Sequence, residues 1–331
     1  MYEPYPPGWG LTDTYDEDGA PVSAICIDDN VAKLQVVPAL ADGALAQANW
    51  QLPFDLFHID NALLTNSQAP MDLHYQRLPG SRELRIWGSV PPDREIEPVF
   101  LAVDDPAQFA AQSLRQALIA RGVVCDGAAI ARHQLPGTDP MEPLSGDLVA
   151  ERVSVPLEEA VRLVDKISQN LHAEMLLQDV ALEVTGKGTR VAGLEELATF
   201  LQTAGINEDD YHFSDGSGLS RYNLVTPHAI ATLLQYMANT PLEEDWMKLL
   251  PIGGFDGSLR LRFRGLRLHG EIHAKTGSLT HVSALSGYAF PDTASPNQDR
   301  PVLAFSILVN NFGAPTSAIR EVIDRIAASI I

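Results

Sequence analysis

Residues 268–290 predict a β-hairpin, and this hairpin limits the folds open to the chain more than any other segment. Two runs of strand-forming residues flank a short turn, for which Gly277 and Ser278 are the turn formers. Lys275, Thr276 and Gly277 stand at the end of the first strand. A lysine beside a glycine at a strand end can present an ammonium group and a bare backbone edge to a ligand. The tripeptide is short enough to arise by chance, so its meaning depends on the rest of the chain.

The acidity of the chain excludes several kinds of partner. Its 331 residues carry a formal net charge of −20. A nucleic acid needs a basic patch that binds its phosphates, and an anionic membrane surface would repel this charge. Hydrophobic residues make up 45% of the chain, which is typical of a globular protein with a sizeable core. We therefore expect no nucleic-acid partner.

The cysteines and the N-terminal residues limit the compartment and the anchoring of the chain. Cys26 and Cys125 are too few and too far apart for a thiol-rich metal site, and the sequence leaves open whether they form a disulfide. No stretch reaches the ~18 apolar residues of a membrane span. Residues 1–21 are Pro-rich and acidic and lack the apolar core of a signal peptide. We therefore expect no transmembrane segment, and either a cytoplasmic chain or one that lacks the start of a longer precursor.

Residues 1–145 are predicted to form a β-rich region with one helix. The helix is predicted at 106–121, where two aspartates and a proline precede an Ala- and Leu-rich stretch and a glycine follows it. Residues 135–146 are rich in Pro, Gly and Asp and predict a domain boundary. The predicted strands are 22–29, 32–39, 54–66, 81–92, 123–125 and 128–132.

Residues 146–331 are predicted to be more helical. Residues 302–310 form a continuous apolar run, as in a strand that is buried on both faces. The last helix should pack on the sheet, because its apolar residues form one stripe. The helical patterns cover 156–177, 191–203, 226–238 and 315–331.

The tripeptide Ser168-Gln169-Asn170 is a second candidate for chemistry. It stands between two amphipathic segments, which predicts a loop between two core helices. A hydroxyl and a carboxamide in such a loop could relay a proton and bind a substrate amide. Taken alone, the same tripeptide could be an ordinary polar helix end.

A Gly-rich polar run at residues 215–221 is the most specific feature of the chain. It precedes a predicted helix, and Asp215, Gly216 and Ser217 are its candidate binding residues. Ser217 does not fit the G-x-S-x-G nucleophile elbow, because Asp215 and Leu219 occupy the glycine positions. The alternative is an ordinary surface loop.

No metal or other cofactor is expected. His269, Glu271 and His273 alternate along the first strand of the hairpin, but the spacing supplies no third ligand near them.

These segments, in this order, resemble the D-alanyl-D-alanine carboxypeptidase/endopeptidase family of penicillin-binding protein 4 type, peptidase family S13. The resemblance rests on ISQNLHAEMLL, SDGSGLSRYNLVTP and HGEIHAKTGSLTHVSALSGYA. GAPVSAICIDDN and VDDPAQFAAQSLRQALIARGV are similar to that family's inserted accessory domains. It implies an α+β penicilloyl-serine transferase fold, related to DD-peptidases and β-lactamases, with helices on both faces of an antiparallel sheet. We expect this fold, incomplete, in residues 146–331, and an accessory region in residues 1–145.

The resemblance also implies an activity and a location. Members hydrolyse the D-Ala-D-Ala bond or a cross-link of peptidoglycan stem peptides through an acyl-serine, and β-lactams bind the same site. The expected location is the periplasm or cell envelope. Gly277 and the loop residues Asp215, Gly216 and Ser217 are implied to bind substrate.

Five further roles are carried over from the family's second and third motifs. Ser168 would shuttle a proton to the leaving amine, and Asn170 would hold the substrate amide. Lys275 would supply positive potential, and Thr276 would bind the substrate carboxylate. The backbone N–H of Ser278 would be half of the oxyanion hole.

The family's first motif, S-x-x-K, which carries the nucleophile, is absent. None of the five lysines has a serine three residues before it. The family places this motif before the accessory domains, and the chain is expected to begin inside them. We therefore expect no acyl-enzyme chemistry from this chain alone, and apolar surface left uncovered on 156–177 and on the sheet.

Three functions remain open at this point. The chain is the C-terminal portion of a serine D,D-peptidase, or a non-catalytic relative that binds peptidoglycan peptides or a partner, or a different hydrolase that uses Ser168 or Ser217 as nucleophile. The sequence does not decide between carboxypeptidase and endopeptidase cleavage, and it leaves the oligomeric state unknown.

Overall fold

The computed structural model describes residues 2–78, 80–135, 137–138, 145–266, 268, 270–292 and 302–331. The chain forms two compact units, Met1–Met141 and Glu142–Ile331. Across these described ranges, no helix combines the length and the apolar composition that crossing a bilayer requires. His269 and, within the predicted boundary, residues 136 and 139–144 lie outside the described residues.

The described residues of the N-terminal unit form two three-stranded sheets and one α-helix. Its strands are β1 (Val31–Val37), β2 (Gln47–Trp50), β3 (His58–Thr65), β4 (Asp72–Arg77), β5 (Glu83–Val90) and β6 (Val99–Ala102). One sheet has the order β2-β1-β6 and is antiparallel. The other has the order β3-β5-β4, with β3 parallel and β4 antiparallel to β5. The helix is α1 (Pro106–Ala120), and the Asp105 side chain caps its start.

Both sheets and α1 share one apolar core. Alternate residues of β1 are buried, as expected of a strand with one face in a core. Leu34 of β1, Leu63 of β3, Ile86 of β5 and Phe109 of α1 all belong to the same buried cluster. The alternating apolar residues of the strands and the apolar stripe of α1 made these elements predictable. The same residues form the core that holds the unit together.

The predicted helix at 106–121 is confirmed, and so are strands within 32–39, 54–66 and 81–92, which contain β1, β3 and β5. The strand predicted at 22–29 is wrong. Asp28 and Asp29 have positive φ and belong to a 3-10 turn, and Val22 to Ile27 form no strand.

The strands predicted at 123–125 and 128–132 are also wrong, because α1 side chains take up their backbone groups. Arg115 donates to the carbonyl oxygens of Cys125 and Gly127. Gln108 binds the backbone of Ala129 and Ala131 in the same way. With these partners the segment lies irregularly, and Cys125, like Cys26, is a free thiol.

The C-terminal unit contains six helices among its described residues. They are α2 (Leu157–Ile167), α3 (Asn170–Thr185), α4 (Arg190–Thr203), α5 (Pro227–Met237), α6 (Glu243–Leu249) and α7 (Thr316–Ala328). The helical pattern of 156–177 is interrupted at Ser168, where α2 ends. Two short strands, β7 (Tyr211–His212) and β8 (Leu224–Val225), pair before α5.

An antiparallel sheet with the order β11-β10-β9 carries helices on both faces. Its strands are β9 (Gly270–Leu279), β10 (Val282–Pro291) and β11 (Leu303–Asn310). Leu285 and Ala289 of β10 pack with Ile323 of α7 on one face. Tyr288 of β10 packs with Leu234 of α5 on the other face. Because side chains alternate along a strand, these two clusters lie on opposite sides of the sheet.

Two predictions about this sheet are wrong. Gly277 and Ser278 do not form the hairpin turn, because both still pair with β10, opposite Ala284 and Ser283. The turn follows at residues 280–281. The strand predicted to be buried on both faces, β11, is an edge strand in which only Phe305 is buried. On α2, as expected, apolar residues are uncovered: Leu157 and Ile167 are exposed.

Candidate functional site

The turn between α2 and α3 positions Ser168. This residue adopts a left-handed conformation with φ 64° and ψ 49°, which is uncommon for a residue other than glycine. The Gln169 side chain accepts a hydrogen bond from the N–H of Leu171 at 2.8 Å, and this cap starts α3 at Asn170. The S-x-N tripeptide therefore forms a tight turn that holds a half-buried hydroxyl.

The Lys275 ammonium joins this turn to β9. Its Nζ donates to Ser168 Oγ at 2.6 Å and to the carbonyl oxygen of Thr276 at 3.0 Å. Burial lowers the pKa of Lys275, and the nearby Asp165 acts in the opposite direction. A lysine whose pKa is lowered and which is held on a hydroxyl can exchange a proton with a ligand through that hydroxyl.

Asp165 on α2 is the acidic member of this group. Burial raises the pKa of its carboxyl to about 6, while the charges of Lys275 and Lys166 act to lower it. The protonation states of Asp165 and Lys275 therefore depend on each other.

Lys166 attaches the C-terminal end of α2 to residues 250–256. Its Nζ donates to Asp256 Oδ2 at 2.6 Å and to the carbonyl oxygen of Leu250 at 2.7 Å. Asp256 also accepts a hydrogen bond from the N–H of Ile252 at 2.8 Å. This ion pair is largely shielded from water, with 17% of the lysine and 32% of the aspartate side chain exposed. It fixes the helix end that carries Ser168.

The 3-10 turn Gly257–Leu259 brings a second hydroxyl to β9. Gly257 has φ +53°, and a Cβ there would lie 2.5 Å from the carbonyl oxygen of Lys166. Glycine is therefore required for this close approach. Ser258, the next residue, accepts a hydrogen bond from Thr276 Oγ1 at 2.9 Å.

The side chains of β9 point to two different environments. Lys275 points toward the α2–α3 turn and Ser168. Thr276 and Ser278 lie on the other face, on the side where Ala274 joins the core under α7. The Lys275 ammonium and the hydroxyls of Thr276 and Ser278 thus lie on opposite faces of the strand.

The backbone of β9 offers an open edge near the motif. β9 is the edge strand of its sheet. The outward carbonyl of Ile272 and the outward N–H of Ala274 are bound by residues 251–253. Because these directions alternate in an antiparallel strand, the N–H groups of Thr276 and Ser278 point to the same edge. An extended peptide can pair with such an edge.

The glycine-rich loop is organised around the buried carboxylate of Asp215. Its oxygens accept hydrogen bonds from the N–H of Gly218 at 2.9 Å, the N–H of Ser220 at 2.6 Å and Asn223 Nδ2 at 2.6 Å. With three bonds converging on one side chain, the loop has a defined shape.

Glu174 attaches this loop to α3, one helical turn after Asn170. It is fully buried, and its Oε1 accepts hydrogen bonds from the N–H of Gly216 at 2.9 Å and of Ser217 at 2.8 Å. Burial raises the pKa of Glu174 to about 7; the Ser217 hydrogen bond acts against this shift and the charge of Asp215 adds to it. A Cβ at Gly216 would lie 3.0 Å from an α3 side chain, so the loop lies directly on the helix.

The structure brings together part of the predicted site. Ser168 and Lys275 are in contact, Thr276 and Ser278 lie on the other face of β9, and residues 215–217 lie on α3. Within the described residues, no group of three or more His, Cys, Asp or Glu side chains is arranged to hold a metal ion. The site also contains residues that no sequence pattern had indicated: Asp165, Lys166, Glu174, Asp256, Ser258 and Arg320. Only the Asp-Gly-Ser run at 256–258 carries a local signal, that of a turn.

A profile of the family described as D-Ala-D-Ala carboxypeptidase 3 (S13) matches residues 3–330. The chain therefore belongs to this family, as the resemblance predicted.

Two curated relatives show how much of such proteins the chain spans. It is 32% identical over 294 residues to the D-alanyl-D-alanine carboxypeptidase of Actinomadura sp. (strain R39), covering 87% of this chain and 52% of that protein. It is 27% identical over 288 residues to the D-alanyl-D-alanine carboxypeptidase DacB of Haemophilus influenzae, covering 85% of this chain and 58% of that protein. The chain thus spans little more than half the length of these relatives.

Solved structures establish the fold. Penicillin-binding protein 4 (DacB) from Haemophilus influenzae matches with a TM-score of 0.79 at 23% identity, over 100% of this chain and 72% of that one. The same protein complexed with a novel β-lactam matches with a TM-score of 0.71 at 23% identity, over 93% and 70%. The expected α+β fold of this class is confirmed.

Proposed function

We propose that the chain binds peptides ending in D-Ala-D-Ala, and β-lactams, at a serine D,D-peptidase site to which it contributes the S-x-N turn and the K-T-G strand. The 2.6 Å contact between Lys275 Nζ and Ser168 Oγ carries the proposal, because it unites two motifs that lie 107 residues apart. Membership in the S13 family and the carboxypeptidase names of its relatives support the substrate class. A relative's complex with a β-lactam supports the second ligand.

Each residue of this site has a separate task. Lys275 keeps positive charge beside Ser168, whose hydroxyl relays a proton to the leaving amine. The carboxamide of Asn170 holds the substrate amide. The hydroxyl of Thr276 binds the terminal carboxylate, and the N–H of Ser278, directed to the open edge of β9, stabilises the oxyanion.

Gly277 and the glycine-rich loop complete the binding surface. Gly277 lies on the same face of β9 as Lys275, and its missing side chain leaves room for a ligand beside the ammonium. Asp215 shapes the loop, and Glu174 holds Gly216 and Ser217 on α3. The loop then lines the substrate path one helical turn beyond Asn170.

The 331 residues contain no S-x-x-K sequence, and we infer that they bind these ligands without forming an acyl-enzyme. The proton relay and the oxyanion donor then act only when a serine nucleophile from outside these residues enters the site. The absence of S-x-x-K also favours a second candidate function, a relative that binds peptidoglycan peptides or a protein partner and does not cleave them. In either role the substrates place the protein in the periplasm or cell envelope, and residues 1–145 act as an inserted accessory domain.

Two measurements on the purified chain test the first proposal. NMR titration should show binding of N-acetyl-D-Ala-D-Ala but not of N-acetyl-L-Ala-L-Ala. Lys275→Met should abolish this binding, because it removes the charge at the centre of the site, whereas Lys187→Met, at an exposed lysine, should leave it intact. Failure of the D,D peptide to bind would contradict the proposal.

Incubation with a fluorescent penicillin tests the absence of acylation. We expect no covalent label on a denaturing gel. A label would refute this expectation, and peptide mapping would then show whether Ser168, Ser217 or another serine is the nucleophile. The coding DNA upstream of Met1 separates the two candidate functions: an in-frame S-x-x-K supports the peptidase, and a start site directly before Met1 supports the non-cleaving relative.

A further inference from the structure

A cleft beside β9 is lined by basic and hydroxyl side chains. Its volume is about 410 Å³, and Thr276 and Ser278 contribute to its wall together with Arg260, Arg262 and Arg320. The remaining lining residues are Gly257, Ser258 and Leu261. No carboxylate is among these lining residues, although the chain as a whole has a net charge of −20. A cleft with charges of one sign concentrates ligands of the opposite sign.

The three arginines differ in how far their charge is neutralised. Arg262 donates to Asp324 at 2.5 Å, and only 12% and 11% of these two side chains are exposed. Arg320 donates to the uncharged hydroxyl of Ser278 at 2.9 Å. Over the ranges that the structure describes, the Arg260 side chain makes no hydrogen bond or ion pair. Two guanidinium groups are therefore available to an anion.

The position of Arg320 is fixed by the packing of α7. Ile323 and Ala327 of this helix are fully buried against the sheet. Arg262 also reaches the backbone carbonyl oxygen of Arg320 at 3.5 Å. The Arg320 side chain thus starts from a rigid element and ends at the K-T-G strand, which favours a binding role.

The terminal carboxylate of a peptide would bind only one of these two guanidinium groups, that of Arg320. A carboxylate bound at Thr276 and Ser278 lies next to Arg320, which already contacts Ser278. Arg260 then remains without a partner. A guanidinium binds a carboxylate through two parallel hydrogen bonds, so Arg260 fits a second carboxylate better than a neutral group.

We propose that Arg260 and Arg320 form a second anion subsite in this cleft, which selects peptides whose C-terminal D-residue carries a side-chain carboxylate besides its terminal one. This inference rests on the proposed function, because it takes the terminal carboxylate to bind at Thr276. It names the substrate class on the leaving-group side of the scissile bond: acidic D-residues rather than neutral ones.

Three peptides test the subsite by NMR titration: N-acetyl-D-Ala-D-Glu, its neutral isostere N-acetyl-D-Ala-D-Gln, and N-acetyl-D-Ala-D-Ala as the reference ligand of the proposed function. At low ionic strength the D-Glu peptide should bind about fivefold more tightly than the D-Gln peptide. This ratio should fall in 0.5 M salt, because the subsite is open to solvent. Arg260→Gln should bring the ratio to about one, whereas Arg264→Gln, at an exposed arginine outside the cleft, should leave it unchanged.

The failures of the two proposals are distinguishable. Equal binding of the D-Glu and D-Gln peptides, with the D-Ala peptide still bound, overturns the subsite and leaves the proposed function standing. Persistence of the preference in the Arg260→Gln/Arg320→Gln double variant also overturns the subsite. Absence of binding by all three peptides overturns the proposed function and the subsite together.

Discussion

The α2–α3 turn and the glycine-rich loop at residues 215–221 both attach to α3. Lysine ammonium groups hold the turn, whereas carboxyl groups hold the loop. At the turn, Lys275 binds the Ser168 hydroxyl, and Lys166, at the end of α2, binds Asp256. At the loop, the buried carboxylates of Asp215 and Glu174 accept backbone N–H groups.

The difference separates a replaceable contact from a structural one. A lysine ammonium can exchange a hydroxyl for a ligand oxygen, because both oxygens accept its hydrogen bonds. A buried carboxylate that binds several backbone N–H groups has no such substitute, and its loss leaves all the donors unpaired. The turn is therefore suited to chemistry and the loop to fixing shape.

Asp215→Ala should give the largest change in stability. It leaves two backbone N–H groups and one carboxamide without their acceptor, and we expect the free energy of unfolding to fall by about 4 kcal/mol. Urea denaturation measures this loss. Asp209→Ala, at an exposed aspartate nearby, is the control and should change stability by less than about 0.5 kcal/mol. Equal losses in both variants would show that the loop does not depend on its central carboxylate.

Glu174→Gln should change how stability depends on pH. Burial raises the pKa of Glu174 from its ordinary value of 4.5 to about 7 in the folded state. Its contribution to stability is therefore fully present below pH 4.5 and is lost as pH rises through about 7. The lost contribution is about 3 kcal/mol, and a glutamine, which does not ionise, should retain it. Unfolding at pH 4.5 and pH 8.5 measures the difference.

Glu183→Gln, at an exposed position of the same helix, is the matched control and should follow the parent profile. A parent-like decline with pH in Glu174→Gln would show that another group is responsible.

Lys166→Met tests the anchor of the turn. Methionine keeps the apolar stem but leaves Asp256 without its cation, and the partial exposure of that aspartate limits the loss to about 2 kcal/mol. The D-Ala-D-Ala affinity should fall as well, because the end of α2 that positions Ser168 loses its attachment. Lys187→Met should change neither property. Unaltered affinity in Lys166→Met would show that Lys275 alone positions the turn.

Ser168→Gly and Ser168→Ala should show the smallest difference in stability among these tests. Both remove the hydroxyl, but only glycine adopts the left-handed conformation of this turn without steric cost. The glycine variant should therefore be more stable than the alanine variant by about 1 kcal/mol. Neither should bind D-Ala-D-Ala peptides as the parent does. A more stable alanine variant would contradict the conformation of the turn.

Sequence patterns predicted the elements better than the contacts between them. The helices α1, α4, α5 and α7 followed from local helical patterns and end signals, and the motifs followed from their order along the chain. The hairpin turn was misplaced because Gly277, a residue type that favours turns, here pairs with Ala284 inside a strand. The function of Glu174 had no signal, because a glutamate on a helix is normally exposed and only the loop folded over it makes it buried. The contact between Ser168 and Lys275 spans 107 residues, and no local pattern reports a distance of that kind.

Because side chains alternate along β9, the register of the hairpin decides which of them face the α2–α3 turn and which face α7. A shift of one residue against β10 would turn Lys275 toward α7 and the neighbouring hydroxyls toward the α2–α3 turn. The short turn at 280–281 prevents this shift, because His281 Nδ1 lies 2.8 Å from the carbonyl oxygen of Phe312 and the N–H of Asn311 donates to the His281 carbonyl at 2.8 Å. An insertion in that turn that moved β9 by one residue against β10 would thus exchange the surroundings of Lys275 with those of the neighbouring hydroxyls.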